Sequence, residues 1–305
     1  MEGVVRVLAT GLRGMVLKSG LTKEDVQEIR LRVGGPLIVN VKGQECFLTK
    51  DGKISSKCEE AYRVSRSEMR ETVEYISNYS MYAFEEELRQ GYITVAGGHR
   101  IGICGKTISE GGKVRSMKYI SFLNIRIAHE VKGCADKVLP YLREGGQIKN
   151  TLFVASPGGG KTTMLRDVIR QLSCSGTTVG VVDERSELAA CYQGMPQNDV
   201  GPRTDVLDCC PKAEGMLLLI RSMAPELVAV DEIGSAEDVR ALHYAIGCGC
   251  RLMATVHGAS LEELRKKPVL GELMQEELFE RYVLLERKSD GCGVRAVLDQ
   301  KGVRL

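Results

Sequence analysis

Apolar and polar positions along residues 1–133 change period several times, and each change marks an element. Val5, Leu8, Leu12 and Met15 recur at helical spacing and predict one helix over 4–17, ending near Gly20. Residues 28–33 (Glu-Ile-Arg-Leu-Arg-Val) alternate polar with apolar, as a half-exposed strand does. Gly34-Gly35-Pro36 turns that strand, and 37–42 continues as its hairpin partner. Residues 44–57 predict a further hairpin. A long helical region follows over 65–90, with Ser67 as N-cap, Met69, Val73 and Ile76 on one apolar face, and Met81, Phe84 and Leu88 on a second. Asn78-Tyr79-Ser80 marks the break between the two faces. Residues 91–105 read as a hairpin turned at Gly97-Gly98, and 114–128 as further strand. The sum is a smaller α+β domain.

The texture changes at Lys132-Gly133. A short helix is predicted over 135–142 and a turn at Gly145-Gly146; strands and helices then alternate. Strands fall at 151–155, 178–182, 227–231 and 251–256, and helices at 162–174, 213–223 and 236–247. That order predicts an α/β domain over 134–305, a mostly parallel sheet with helices on both faces. Residues 184–212, rich in Gly, Pro and Asp, predict mostly loop. The chain of 305 residues has the length of two domains, and no repeat or low-complexity segment interrupts them.

The candidate chemistry begins where the 151–155 strand breaks into Ser156-Pro157-Gly158-Gly159-Gly160-Lys161-Thr162-Thr163. A strand, consecutive glycines and a helix N-terminus are the parts of a phosphate cradle. Backbone N–H groups of the loop and the helix start face the phosphates. Lys161, expected as a surface group at the loop-to-helix junction, reaches the terminal ones, and the Thr162 hydroxyl coordinates Mg²⁺. All eight residues from Ser156 to Thr163 are candidates for binding ATP. The strict pattern has Gly where this chain has Ala155.

Four apolar residues then lead into Asp231-Glu232, placing two carboxylates at the carboxyl end of a buried strand. Asp231 is the candidate metal ligand and Glu232 the candidate base toward the attacking water. The strand before it ends in Asp183-Glu184-Arg185-Ser186-Glu187. Two readings fit that cluster, an Arg–carboxylate network or a second acidic wall of the nucleotide site with Glu184 as a catalytic group. Thr255 and His257 end the next strand, either as structural residues or facing the terminal phosphate.

Composition narrows the rest. With 42 basic and 40 acidic residues the formal charge is +2, which points to neither nucleic acid nor a membrane surface as direct partner. The 11 cysteines lack disulfide or zinc spacing and read as reduced thiols, with a cytoplasmic location expected. The N-terminus has no signal-peptide pattern, and no run is long and apolar enough to span a membrane.

In order, the phosphate loop, the acidic strand end at 183–187, Val-Asp-Glu-Ile-Gly at 230–234 and Ala-Thr-Val-His-Gly at 254–258 resemble the Walker A, Asp-box, Walker B and His-box elements of secretion ATPases of the type II/type IV class. The whole chain more closely resembles the stage III sporulation AA family, through residues 28–34, 97–102, 124–128, 156–167 and 181–187. Many secretion ATPases have Gly where this chain has Asp231. The resemblance implies a RecA-like P-loop NTPase fold and a Mg-dependent ATPase. It also implies a homo-oligomeric, hexameric ring in the mother cell, docked on membrane proteins of a sporulation channel complex between mother cell and forespore. It further implies that arginines of the first domain, here Arg100 and Arg126 on strands, reach a nucleotide at a domain or subunit junction. Two other classes share such a sheet: a nucleic-acid-directed motor, which the balanced charge and 5% aromatic content disfavour, and a nucleotide switch with little turnover.

Overall fold

In the computed structural model, which describes residues 2–79, 85–288 and 291–305, the helix expected over 4–17 is two: α1 (Glu2–Val7) and α2 (Thr10–Lys18). The break has a tertiary cause. Ala9 N–H donates to the Thr72 hydroxyl at 3.0 Å and Thr10 N–H to Glu71 at 3.0 Å, so α2 is capped by side chains from far along the chain.

Strands β1 (Val26–Arg32), β2 (Ile38–Val41), β3 (Gln44–Leu48) and β4 (Ile54–Ser55) follow as the expected hairpins. Helix α3 (Arg66–Ile76) starts from Ser65, not Ser67. The Ser65 hydroxyl accepts Glu68 N–H while the Glu68 carboxylate accepts Ser65 N–H, a reciprocal capping box. Asn78 and Tyr79 have φ of 46° and 62°, which ends the helix. Ser80, Met81 and Phe84 lie outside the described residues. Helix α4 (Glu85–Gln90) precedes β5 (Tyr92–Val95), β6 (His99–Glu110) and β7 (Lys113–Arg126).

These strands form one antiparallel sheet, ordered β4-β3-β2-β1-β7-β6-β5. Its inward residues, among them Ile29, Leu31, Ile101, Ile103, Leu123 and Ile125, share a core with Val4, Leu8, Leu12 and Met69 of the helices. The outward positions of the same strands carry the charge. This is the first of two compact units, Met1–His129; the second is Glu130–Leu305. Residues 130–133 belong with the second because Glu130 accepts Asp199 N–H and Lys132 pairs with Asp199 at 2.6 Å.

The helix expected over 135–142 is absent. Pro140 lacks an N–H and disfavours the helical conformation at Leu139, and the segment forms turns with one 3₁₀ turn at Leu139–Tyr141. A two-strand ribbon, β8 (Arg143–Glu144) and β9 (Gln147–Ile148), encloses the Gly145-Gly146 turn. The alternating elements then appear in order: β10 (Thr151–Ala155), α5 (Lys161–Cys174), β11 (Val179–Asp183), β12 (Thr204–Asp208), α6 (Lys212–Met223), β13 (Leu227–Val230), α7 (Ala236–Gly247) and β14 (Arg251–His257). Strand β12 falls in the stretch expected as loop. Its Thr-Asp-Val-Leu-Asp sequence is half-exposed at a sheet edge and lacks an apolar run. Helices α8 (Leu261–Arg265) and α9 (Pro268–Gln275) and strands β15 (Arg281–Lys288) and β16 (Gly291–Asp299) complete the unit.

The sheet order is β12-β11-β13-β14-β10-β15-β16, parallel except for β16. Met164, Val168 and Leu172 of α5 pack on one face against Phe153, Val181 and Met253. Helices α6 to α9 cover the other face, over Val154, Val230, Ala254 and Val256. The expected sheet with helices on both faces is therefore formed. Among the described residues no helix is long and apolar enough to cross a membrane, and all eleven cysteines are free thiols.

Asn150, buried just before β10, ties three strands. Its Oδ1 accepts Leu252 N–H at 3.0 Å, its Nδ2 donates to Leu278 O at 3.2 Å, and its backbone carbonyl accepts the N–H groups of Glu280 and Arg281. Asn150→Ala leaves the Leu252 N–H without its acceptor, so the urea midpoint should fall by the equivalent of about 1–3 kcal/mol. An unchanged midpoint would mean that the strands align without it.

Candidate active site

Each functional side chain stands at the carboxyl end of β10, β11, β13 or β14, where a parallel sheet of this kind presents its ligand site. Leaving β10, the chain turns through Ser156 O accepting Gly159 N–H at 3.0 Å and enters α5 from Gly160, at φ 84°. The glycines answer to specific neighbours. A Cβ on Gly159 would sit 2.7 Å from the Ala155 Cβ, and one on Gly160 would sit 2.6 Å from the Cys292 Cβ. Ala155 is thus tolerated at the position where the strict pattern has Gly because Gly159 leaves room for its methyl.

Lys161 opens α5 but is not a surface group. It is 5% exposed, and burial pushes its ammonium pKa down, against the opposing pull of Glu232 and Asp231. Its Nζ donates to His257 Nδ1 at 2.9 Å. Nε2 of that ring must then carry the hydrogen, and it meets Glu232 Oε1 at 2.7 Å. Glu232 Oε2 accepts from Arg185 at 2.9 Å. Lys161, His257, Glu232 and Arg185 therefore form one continuous chain.

A second cluster lies beneath it. The Thr162 hydroxyl donates to Asp231 Oδ2 at 2.6 Å, and the Thr255 hydroxyl donates to Asp231 Oδ1. Burial pushes the Asp231 carboxyl above the ordinary carboxylate range although both hydroxyls favour its charged form. A buried carboxylate next to a threonine hydroxyl has the hard oxygen ligands for a small divalent cation that takes its remaining ligands from phosphate and water. Thr255 is fully buried, and its Oγ also accepts Glu232 N–H at 2.8 Å. That bond holds Glu232 in the left-handed region at φ 55°. Thr255 positions both acids and is not among the residues that line the cavity at the phosphate loop.

This cavity, of about 500 Å³, brings together Pro157, Gly158, Gly160, Lys161, Thr162, Thr163, Glu232 and His257 with Arg185 and Glu187 of the acidic strand end. Glu184 is not among its lining residues; it pairs with Lys212. Asp183 is buried and accepts the Glu187 and Ala189 amides at 2.7 and 2.8 Å. Arg185 pairs with Glu232, outside the acidic strand end, and Glu187 is the acid of that cluster that lines the cavity. The sequence offered an Arg–carboxylate network for Arg185 but not this partner, which lies 47 positions away.

Arg100 and Arg126 belong to the first unit, directly opposite each other on β6 and β7. They share the outward sheet face with Arg30 and Arg32 around a cavity of about 470 Å³, and the Arg100 guanidinium lies 4.1 Å from the Tyr92 ring centroid. The alternation of residues 28–33 already placed Arg30 and Arg32 on one face. It carried no sign of which face Arg100 and Arg126 would share.

A family model described as "Sporulation stage III, protein AA" matches residues 1–305. Stage III sporulation protein AA of Bacillus subtilis is 42% identical over 284 residues, covering 91% of this chain and 88% of that one. In fold, the second unit and the preceding α+β unit resemble RecA-like P-loop secretion ATPases. The Legionella pneumophila ATPase DotB aligns with TM-score 0.57 at 17% identity, over 90% of this chain and 77% of its own. The pilus retraction motor PilT, solved with bound ADP, aligns with TM-score 0.60 at 14% identity, over 93% and 81%.

Removing the Lys161 ammonium relieves a buried charge and deletes the cation aimed into the cavity. Lys161→Ala should weaken ATP binding about 10–100-fold, the range for hydrogen bonds to charged groups, with thermal unfolding at or above the parent temperature. Unchanged affinity in calorimetric titration would place the site elsewhere.

Proposed function

The chain belongs to the sporulation stage III protein AA family, and on that premise we propose that it is a Mg-dependent ATPase that powers or gates a membrane channel complex. The observation that carries this reading is the convergence of Lys161, Thr162, Glu232 and His257 on one cavity at the carboxyl ends of adjacent parallel strands, with buried Asp231 held by the Thr162 hydroxyl. A binding module needs the phosphate loop alone. A carboxylate held by Thr255 in a left-handed turn beside that loop is the additional part that hydrolysis requires.

In this reading the loop amides from Gly158 to Thr163 and the start of α5 bind the phosphates, with Ser156 and Pro157 shaping the entry. Lys161 leaves His257 for the β- and γ-phosphates and offsets their charge. Thr162 and Asp231 hold Mg²⁺, which when bound supplies charge neutralisation at the phosphate oxygens. Glu232 orients the attacking water and accepts its proton, and His257, released from Lys161, faces the terminal phosphate. The first unit contributes Arg100 and Arg126. The chain works as a homo-oligomeric ring, hexameric as in the secretion class, in the mother-cell cytoplasm. Membrane proteins of the channel complex between mother cell and forespore supply its attachment.

Glu232→Gln keeps the hydrogen-bonding size of the side chain and removes its basicity. Single-turnover hydrolysis should slow by roughly 10²–10⁴-fold with ATP affinity retained. Glu184→Gln, whose parent carboxylate pairs with Lys212, should hydrolyse near the parent rate. The reverse ranking would assign the base to Glu184.

Ring assembly predicts a mass of six chains in light scattering with ATP. It also predicts that Arg126→Ala and Lys161→Ala, each inactive alone, regain activity when mixed, provided the arginine acts across subunits. A permanent monomer would overturn the ring. Parent-rate turnover in both Arg100→Ala and Arg126→Ala would remove the first unit from catalysis.

A further inference from the structure

We infer that Arg185 distinguishes a nucleoside triphosphate from a diphosphate, its guanidinium passing from Glu232 to the terminal phosphate; this rests on the nucleotide site proposed above. The starting observation is an unexpected choice of partner. Arg185 sits in a run containing Asp183, Glu184 and Glu187, yet its ion pair reaches across to Glu232 on the neighbouring strand end.

The local backbone is built to aim that side chain. Ser186 N–H closes a turn on Asp183 O at 3.2 Å, and Glu187 N–H donates to the Asp183 carboxylate at 2.7 Å. From α5, the Arg166 guanidinium donates to the carbonyls of Glu187 at 2.6 Å and Leu188 at 2.7 Å. Arg185 is thus carried by a turn fixed on both sides, while its own side chain is 64% exposed and lines the cavity with Lys161 and His257. The guanidinium is therefore reachable from solvent while Glu232, 22% exposed, is held at the strand end, so it is the arginine side of the pair that exchanges one anion for another.

The hydrogen-bonded chain supplies the anion dependence. Lys161 occupies His257, and His257 and Arg185 each occupy one oxygen of Glu232. The chain has a cation at each end and the catalytic carboxylate between them. A diphosphate bound in the loop draws Lys161 and satisfies that end alone. The terminal group of a triphosphate adds three oxygens and further negative charge on the Glu232 side, where, among the described residues lining the cavity, the planar fork of Arg185 offers paired side-chain donors. Moving to that group, the guanidinium vacates Glu232 Oε2, the oxygen then open to a water. The base is thereby unmasked when, and only when, the hydrolysable nucleotide is present.

The test compares equilibrium binding of ADP and of the non-hydrolysable β,γ-imido analogue of ATP, each with Mg²⁺, to the full-length parent, Arg185→Ala and Arg185→Lys. Both variants should bind ADP within about twofold of the parent and the imido analogue about tenfold or more weakly, as loss of a forked, charge-assisted contact requires. Saturating-ATP turnover of Arg185→Ala should fall by roughly 10²-fold or more. Equal loss for both nucleotides, or no loss for either, overturns the inference and leaves the nucleotide site standing. A parent that binds neither nucleotide overturns the site itself, and the inference with it.

Discussion

Insertion of strand β14 between β10 and β13 is the constraint on which the site depends. Parallel register pairs Ala155 with His257 on one side and Val230 with Ala254 on the other. That alignment sets the phosphate loop, the acid pair and the histidine within hydrogen-bond reach, although they come from segments far apart in the chain. Thr255 converts the register into chemistry. Its buried hydroxyl donates to Asp231 and accepts the Glu232 amide, so one side chain orients the metal-binding candidate and the candidate base together. Without this strand in the middle, Lys161 and Glu232 would have no common partner.

The phosphate loop is also shaped by the end of the chain. The antiparallel pair β15–β16 extends the sheet beyond β10, and Cys292 at its tip lies against the loop, with Sγ 3.7 Å from Gly159 O. The close approach leaves no space for a side chain at Gly160. Burial pushes the Cys292 thiol up to about 11, which keeps it a neutral packing group. A loop whose glycines look like pure flexibility is in fact held by contacts on two sides, Ala155 below and Cys292 beside it. Rigidity of this kind is what a phosphate cradle needs, since its amides must point inward before the ligand arrives.

The first unit solves a different problem with the same alternation. Its antiparallel sheet buries aliphatic residues under α1 to α3 and turns Arg30, Arg32, Arg100 and Arg126 to the opposite face. Glu28 moderates that concentration of charge by pairing with Arg30 at 2.7 Å and accepting from Asn124 at 3.1 Å. His99, 2% exposed, accepts Ala128 N–H at 3.0 Å, and burial pushes its pKa down to about 4. The imidazole therefore stays neutral at physiological pH and caps the end of the sheet that carries Arg100 and Arg126.

Elements whose stability is local were legible in the sequence. The β10–loop–α5 unit, the buried strands 179–183 and 227–230 and helix α7 follow from the alternation of apolar runs, glycines and helix-forming segments. That Lys161, Thr162, Asp231, Glu232 and His257 would come together was equally legible, because strand ends of a parallel sheet converge whatever the loops do. What needed the tertiary structure was each feature set by a distant partner. The α1–α2 break comes from Thr72 and Glu71, and the edge strand β12 takes its pairing from β11. Burial of Lys161, the assignment of Glu184 to Lys212, and the Arg185–Glu232 pair were likewise beyond local pattern. Periodicity records which face of an element is apolar. It carries no information on which charged side chain will meet which, since ion pairs are chosen by spatial proximity, and that exists only once the strands have taken their order.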